Sequence, residues 1–286
     1  RLAAAAEHDA SAPGPGCDRG PVQQATIAGG RRALPRQQTL DAIVRWSYEH
    51  LDAAEQRLLQ RLSVFSGGST IEAAIFVSAG DAIEHEVIEH LSSLAAKSLV
   101  GLTCDGQEPR HGMLETVHLF ALERLAESGR AGEARDRHLA FFAKRAGELI
   151  EHPDPRVRSS AYAVLDADRD NLIAALRYGA HGGASTQAWR LGRALAWYWE
   201  ARGLCELGHS LLEAMFAASG PELQGATRVM ALQAAHMAAL HTGRYRRVMQ
   251  LAEEHLELSR ALDDQGEEFS ARQGIAVAAL ALDDAP

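Results

Sequence analysis

The chain has 286 residues and a formal net charge of −9, with a sequence pI near 5.8, so as a whole it lacks the excess of Lys and Arg that neutralising nucleic-acid phosphates requires. Its composition, 47% hydrophobic and 23% charged but only 6% aromatic, suits a globular chain long enough for two compact units, and the abundant alanine and leucine favour helix packed on helix. The three cysteines, Cys17, Cys104 and Cys205, are too scattered for a disulfide framework or a Cys-x-x-Cys knuckle and fit a reducing cytoplasm, and the longest apolar run, Ile275 to Leu282, falls well short of the ~18 residues of a membrane span.

In chain order, residues 1–30 pass into SAPGPGCDRGP, where proline and glycine remove any periodic pattern, and read as a disordered linker. From Thr39 a helical stripe of Leu40, Ile43, Val44 and Leu51, flanked by Trp46 and Tyr48, predicts a helix over about 39–50. Asp52 with Glu55 has the form of a capping box for a second helix that buries Leu58, Leu59 and Leu62 and stops at Gly67 and Gly68. Ser69 with Glu72 repeats the signature for a third helix to Val77, and Ile83, Val87, Ile88, Leu91 and Leu94 mark a fourth, to about Lys97. The period then switches: SLVGLTC and RHGML around an Asp-Gly turn predict a β-hairpin. A closing helix carrying Val117, Phe120, Ala121, Leu122 and Leu125 ends at Ser128 and Gly129. Helices, a hairpin and a closing helix outline a winged helix over 31–130.

Beyond Glu133 only helical patterns remain, broken near 152–155, 181–183, 219–222 and 263–266. Segments 188–218 and 231–262 share a layout of helix, glycine turn and helix, with turn glycines Gly203 and Gly243 set 40 positions apart. That spacing exceeds the ~34 residues of a tetratricopeptide repeat but suits a degenerate helical-hairpin array, an architecture used for binding. The expected fold class is therefore mainly α, a winged-helix domain with one β-hairpin followed by tetratricopeptide-like α-helical hairpins over 131–286. The pattern stops at Pro286 soon after a new helix begins, which suggests a piece of a longer protein, and no signal-peptide pattern is visible at the start.

The residues ALPRQQTL (33–40), WSYEHL (46–51), RLSVFSGGSTIEAA (61–74), LAAKSLV (94–100), MLETVHLFALERLAESG (113–129), RHLAFFAKRA (137–146) and DNLIAALRYG (170–179) together resemble one family. They are similar to the region that follows the nucleotide-binding core in bacterial STAND-type signalling ATPases. That group includes large LuxR-like and AfsR-like transcriptional regulators and adenylate cyclases carrying an ATPase and repeats. The resemblance implies a P-loop ATPase module ahead of the winged helix, in cis or in trans, against which the winged helix packs and which it helps hold closed. ATP or ADP is expected only in that module, and no cofactor or metal in this chain.

Two departures qualify what the resemblance implies. No G-x-x-x-x-G-K-[ST] string exists, and SGGST at 66–70 lacks the phosphate-binding lysine, so it reads as a helix boundary. Where related nucleotide switches have Met-His-Asp, this chain has Met113, Leu114 and Glu115. Leucine cannot donate a hydrogen bond to a phosphate, while Glu115 suits a cap for a helix beginning at Thr116.

Other chemistries are poorly supplied. His85/His90 and His236/His241 are five positions apart and diverge by ~140° around a helix, which does not build a zinc site. There is no G-x-S-x-G nucleophile elbow, and the carboxylate pairs Glu253/Glu254, Asp263/Asp264 and Glu267/Glu268 are adjacent in sequence rather than facing. No enzyme is expected in this chain. Direct DNA reading by the fourth helix is disfavoured because its polar face presents Glu84, Glu86 and Glu89 beside His85, His90 and Ser93. Trp197, Tyr198 and Trp199 are consecutive, so two can pack between hairpins while one is half exposed and serves as a partner anchor. Tyr245 after Gly243 resembles a tetratricopeptide turn.

The expected function is a regulatory, signal-transducing fragment in which a protein or small-molecule effector binds the repeats and the winged helix relays that event to the nucleotide module. Trp46, Gly67, Gly68, Met113, Leu114 and Glu115 are the regulatory and structural candidates, and Trp197, Tyr198, Trp199 and Tyr245 the interaction candidates. A stand-alone interaction scaffold and a DNA-binding winged helix are the alternatives.

Overall fold

The computed structural model describes residues 35–283 apart from 81, 105–107, 153–154, 183–185 and 220–221; the expected linker and the Asp-Gly turn of the hairpin lie outside the described residues. The first unit comprises α1 (Pro35–Glu49), α2 (Ala53–Leu62), α3 (Ile71–Ser78), α4 (Glu84–Ala96), β1 (Gly101–Thr103), β2 (Arg110–Gly112) and α5 (Glu115–Glu127). β1 and β2 pair antiparallel with Leu102 opposite His111, and Ser69 adds an isolated bridge to β2 by exchanging both backbone hydrogen bonds with His111 at 2.8 and 2.7 Å. This order of helices and hairpin is that of a winged helix.

The capping box is present. Asp52 Oδ1 accepts from the backbone N–H groups of Ala54 and Glu55 at 2.8 and 2.9 Å, and the Glu55 carboxylate accepts from Asp52 N–H at 3.0 Å. Glu55 also receives Ser93 of α4 and Lys97 at its C-terminal cap, so one acidic residue fastens two helices. Asp52→Ala removes the cap and is expected to lower stability by about 1 kcal/mol, seen as an earlier urea midpoint with an unchanged slope.

Several details differ from the expectation. α2 ends at Leu62, capped by Ser63, before the glycine pair is reached, because the Ser63 hydroxyl donates to the Gln60 carbonyl at 2.6 Å and closes the last turn. The cap of α3 is Thr70, which accepts from Ala73 N–H at 3.2 Å, since Ser69 is taken by the wing. Glu115 is the first residue of α5 rather than its cap; Leu114 holds the cap position with no side-chain bond. Ile43, Ile83 and Ile88 are exposed despite lying in apolar patterns, whereas Val44, Val87, Leu91 and Leu94 are buried.

The chain continues through α6 (Ala131–Ile150), α7 (Pro155–Ala167), α8 (Arg169–Gly182), α9 (Thr186–Ala194), α10 (Ala196–Ala201), α11 (Cys205–Ser219), α12 (Gly225–His241), α13 (Tyr245–Ala261) and α14 (Gln265–Asp283). α6, α9, α12 and α14 contact in succession, with α8, α11 and α13 packed against them, giving a two-layered array of helical hairpins. The turns at Gly203 and Gly243 take positive φ of 64° and 70°, as the sequence layout requires. A single apolar core runs from Val44 of α1 to Ala238 of α12. The joint between winged helix and array is aromatic: Phe76 of α3 meets Phe141 of α6 at 5.5 Å, and Phe65 meets His138 edge-on at 5.1 Å. Among the described residues no helix is long and apolar enough to cross a membrane.

Candidate functional site

A well-connected polar group lies where the wing meets the array, and Gly67-Gly68 builds it. Both glycines have positive φ, 84° and 82°. A Cβ on Gly68 would stand 2.8 Å from the carbonyl oxygen of His111 in β2, so only glycine lets this turn lie against the wing.

Asn171 of α8 holds the turn from the other side. Its Oδ1 accepts from Ser66 N–H at 2.8 Å and its Nδ2 donates to the Gly68 carbonyl at 3.0 Å. The backbone donor at Ser66 fixes the amide orientation, so His138 Nε2, 3.1 Å from the same Oδ1, must carry its hydrogen there. Burial pushes His138 down to about 4 against the opposing pull of the Asn171 bond, and it is neutral at pH 7.

Beside this clamp, the buried Asp168 accepts Arg110 of β2 at 2.8 Å and Arg145 of α6 at 3.2 Å. Arg145 spreads its remaining nitrogens to Glu72 of α3 at 3.1 Å and Glu108 at 2.9 Å, while Arg110 also donates to the Gly68 carbonyl at 3.1 Å. One network thus joins α3, the wing, α6 and the α7–α8 junction. A cleft of about 770 Å³ opens next to it, with Arg110, Arg145 and Glu108 on its walls and Leu149 and Val164 among its apolar residues. The arrangement is a set of ion pairs and hydrogen bonds that ties these elements together.

Of the sequence candidates, Gly67 and Gly68 lie in this junction. Met113 is half-buried at the end of the wing, and Leu114 is 71% exposed beside the exposed Glu115. Trp46 is 62% exposed, with its ring 4.3 Å from that of His50. In the array, Tyr198 and Trp199 are buried, whereas Trp197 is 54% exposed and rests against His241 at 5.3 Å. The Tyr198 hydroxyl donates to Asp166 at 2.9 Å, a carboxylate that the guanidinium of Arg202 holds down at about 2. Tyr245 is half-buried at the first turn of α13. The sequence patterns do not single out Arg110, His138, Arg145, Asp168 or Asn171, although all of these but Asp168 stand in the stretches RHGML, RHLAFFAKRA and DNLIAALRYG.

The recognition position of a winged helix is α4. Its solvent face carries Ile83, Glu84, His85, Ile88, Glu89 and Ser92, while Glu86 turns back to the Ile83 N–H at 3.1 Å and Ser93 is taken by Glu55. That face is acidic and apolar.

Residues 51–126 match the model of the winged helix-turn-helix domain. The chain is also similar to parts of longer proteins. A protein of Mycobacterium tuberculosis provisionally named an HTH-type transcriptional regulator is 36% identical over 179 residues, 62% of this chain and 20% of the relative, as is its counterpart in Mycobacterium bovis. An uncharacterized protein of Mycobacterium tuberculosis is 32% identical over 139 residues, 48% of this chain and 33% of that protein. The chain thus spans about a fifth of the length of the first of these relatives. No solved structure matches.

Proposed function

We propose that this chain is the regulatory portion of a cytoplasmic transcriptional regulator of the STAND type, a winged helix braced against tetratricopeptide-like hairpins that relays binding on the hairpins to a nucleotide-switch module outside the chain. The observation that carries the reading is the fastening of the wing: Arg110 is ion-paired to the buried Asp168 and the exposed Glu108 to Arg145 of the array, so a displacement of α6–α8 is transmitted to the wing through these pairs. The exposed apolar side chains Ile43, Trp46, Leu114 and Leu119, carried by α1 and α5, which pack together, offer the nucleotide module a contact surface. Trp197 is the natural anchor for an effector on the array. For the relay to switch, the effector's affinity must differ between the two states by a few kcal/mol.

The test is kinetic. Addition of the chain to its cognate nucleotide-binding module should change the rate of ADP release, and Trp46→Ala with Leu114→Ala should weaken that change; an ADP release rate indifferent to the chain would refute the relay. A second reading, DNA recognition through α4, is favoured by the domain match and by the names of the relatives. It requires a salt-dependent, sequence-selective electrophoretic shift, which three exposed or half-buried glutamates along α4 oppose.

A further inference from the structure

The main apolar core reaches α12 through Ala231, Ala234 and Ala238, and beyond it the last three helices share two small clusters, Leu232, Ala235 and Leu251 in one, Ala239, Val248 and Ala278 in the other. Sharing that interface are His236 of α12 and His255 of α13, both 0% exposed, with ring centroids 5.3 Å apart. Glu267 of α14 reaches in: its Oε2 lies 3.2 Å from His255 Nε2, within ion-pair distance but off the line a hydrogen bond needs, so both atoms lack a hydrogen-bond partner among the described residues. Both ring nitrogens of His236 likewise have none. Buried polar atoms are rarely left so, and a group of them in one interface calls for a role. Gly274 of α14 makes room for the ring; a Cβ there would come within 3.4 Å of His236.

We propose that His236, His255 and Glu267 form a proton-sensitive lock on α14: the helix stays docked on α12 and α13 while His236 is neutral, and uptake of a proton from solvent by His236 releases it. The charges around the pair explain the direction. From α13 His236 faces His255. From α14 it faces Glu267, whose Oε1 is already 3.3 Å from Arg193 of α9 and whose Oε2 is beside His255. Several other polar groups of these helices are engaged elsewhere: the Gln233 amide nitrogen with Ser270, the Ser259 hydroxyl with the His255 carbonyl, Glu268 with Arg260 and Arg272, and Glu254 with Arg228. A cation on His236 therefore finds no hydrogen-bond acceptor at either ring nitrogen among the described residues and faces a second imidazole across the interface, so it is accommodated only when the helices part and water enters.

Burial, and then the neighbouring His255, push His236 down to about 3 from 6.5. Its protonation is thus linked to opening, and between pH 7.5 and pH 5 the opening equilibrium of α14 should rise about 30-fold. Amide hydrogen exchange on the full chain, corrected for the intrinsic rate at each pH, reads this directly. The rise should appear across α14, vanish from α14 in His236→Phe, and persist in that variant at the His138 junction. If His236→Phe does not fold, His236→Gln, neutral and of similar volume, gives the same reading. Exchange in α14 that is independent of pH in the wild type, or a rise that survives both variants, overturns the lock. So does a loss of α14 protection on adding a chelator at pH 7.5, which would assign the cluster to a metal ion instead.

Discussion

Asn171→Ala should detach the wing from α8 and lower the stability of the chain by about 3 kcal/mol. The side chain is 0% exposed and serves three partners, the Ser66 N–H, the Gly68 carbonyl and His138 Nε2. After truncation the Gly68 carbonyl keeps Arg110, but the Ser66 and His138 N–H groups lose their acceptor inside a packed joint. Each buried orphan donor costs roughly 1–3 kcal/mol, more than the hydrogen bond itself contributed. At about 2–4 °C per kcal/mol for a chain in this size range, the thermal midpoint should fall by roughly 6–12 °C. Amide exchange at Ser66 and across β2 should quicken more than exchange in α13. A change below about 1 kcal/mol would mean that the joint is solvated and that the wing is not fastened, which would also remove the support for a relay through it.

The second large effect is on acid stability. His138 is buried between Phe65 and Phe142 and burial holds it at about 4, whereas it titrates near 6.5 when unfolded. Below pH 6.5 the unfolded chain therefore binds a proton that the folded chain refuses. Stability from this residue is complete above pH 6.5, falls by about 1.4 kcal/mol per pH unit as the pH drops, and levels off below about 4. The total is about 3 kcal/mol. Urea unfolding at pH 7 and pH 4 should show this as a difference in pH dependence between the wild type and His138→Gln, the variant being less stable at pH 7 but losing less on acidification. Parallel curves for the two proteins would contradict a neutral, buried His138. Asn171→Asp provides an independent check, because a carboxylate facing Nε2 favours the imidazolium and should flatten the same curve.

These two residues also indicate what was legible before the fold was known. Local signals were strong: the capping box at Asp52 and Glu55, the switch to extended period at SLVGLTC, and the turn glycines Gly203 and Gly243 each act through neighbours a few positions away, and each appears as expected. Apolar periodicity found the buried faces of α2, α4 and α5 but overreached at Ile43, Ile83 and Ile88, since a pattern marks an amphipathic stripe and not the partner that covers it. In sequence the Gly67-Gly68 pair reads as a helix stop, whereas α2 has already ended at Leu62 and the pair serves to bring backbone against backbone at His111.

The junction itself could not be read in the same way. Asn171 meets Ser66 and Gly68 across 105 and 103 positions, and Arg145 meets Glu72 and Glu108 across 73 and 37. No spacing rule links such residues, and each is of a type ordinarily found on solvated surfaces. What the sequence alone determined about this protein is its helical class, the position of the hairpin wing and the two-helix rhythm of the array, because those follow from propensity, capping and periodicity over a few turns. The tertiary structure decided that the wing is bolted to the array through Asp168 and Asn171, and that two histidines meet in the buried interface holding α14. Burial and distant charge, which set both, exist only once the helices have packed.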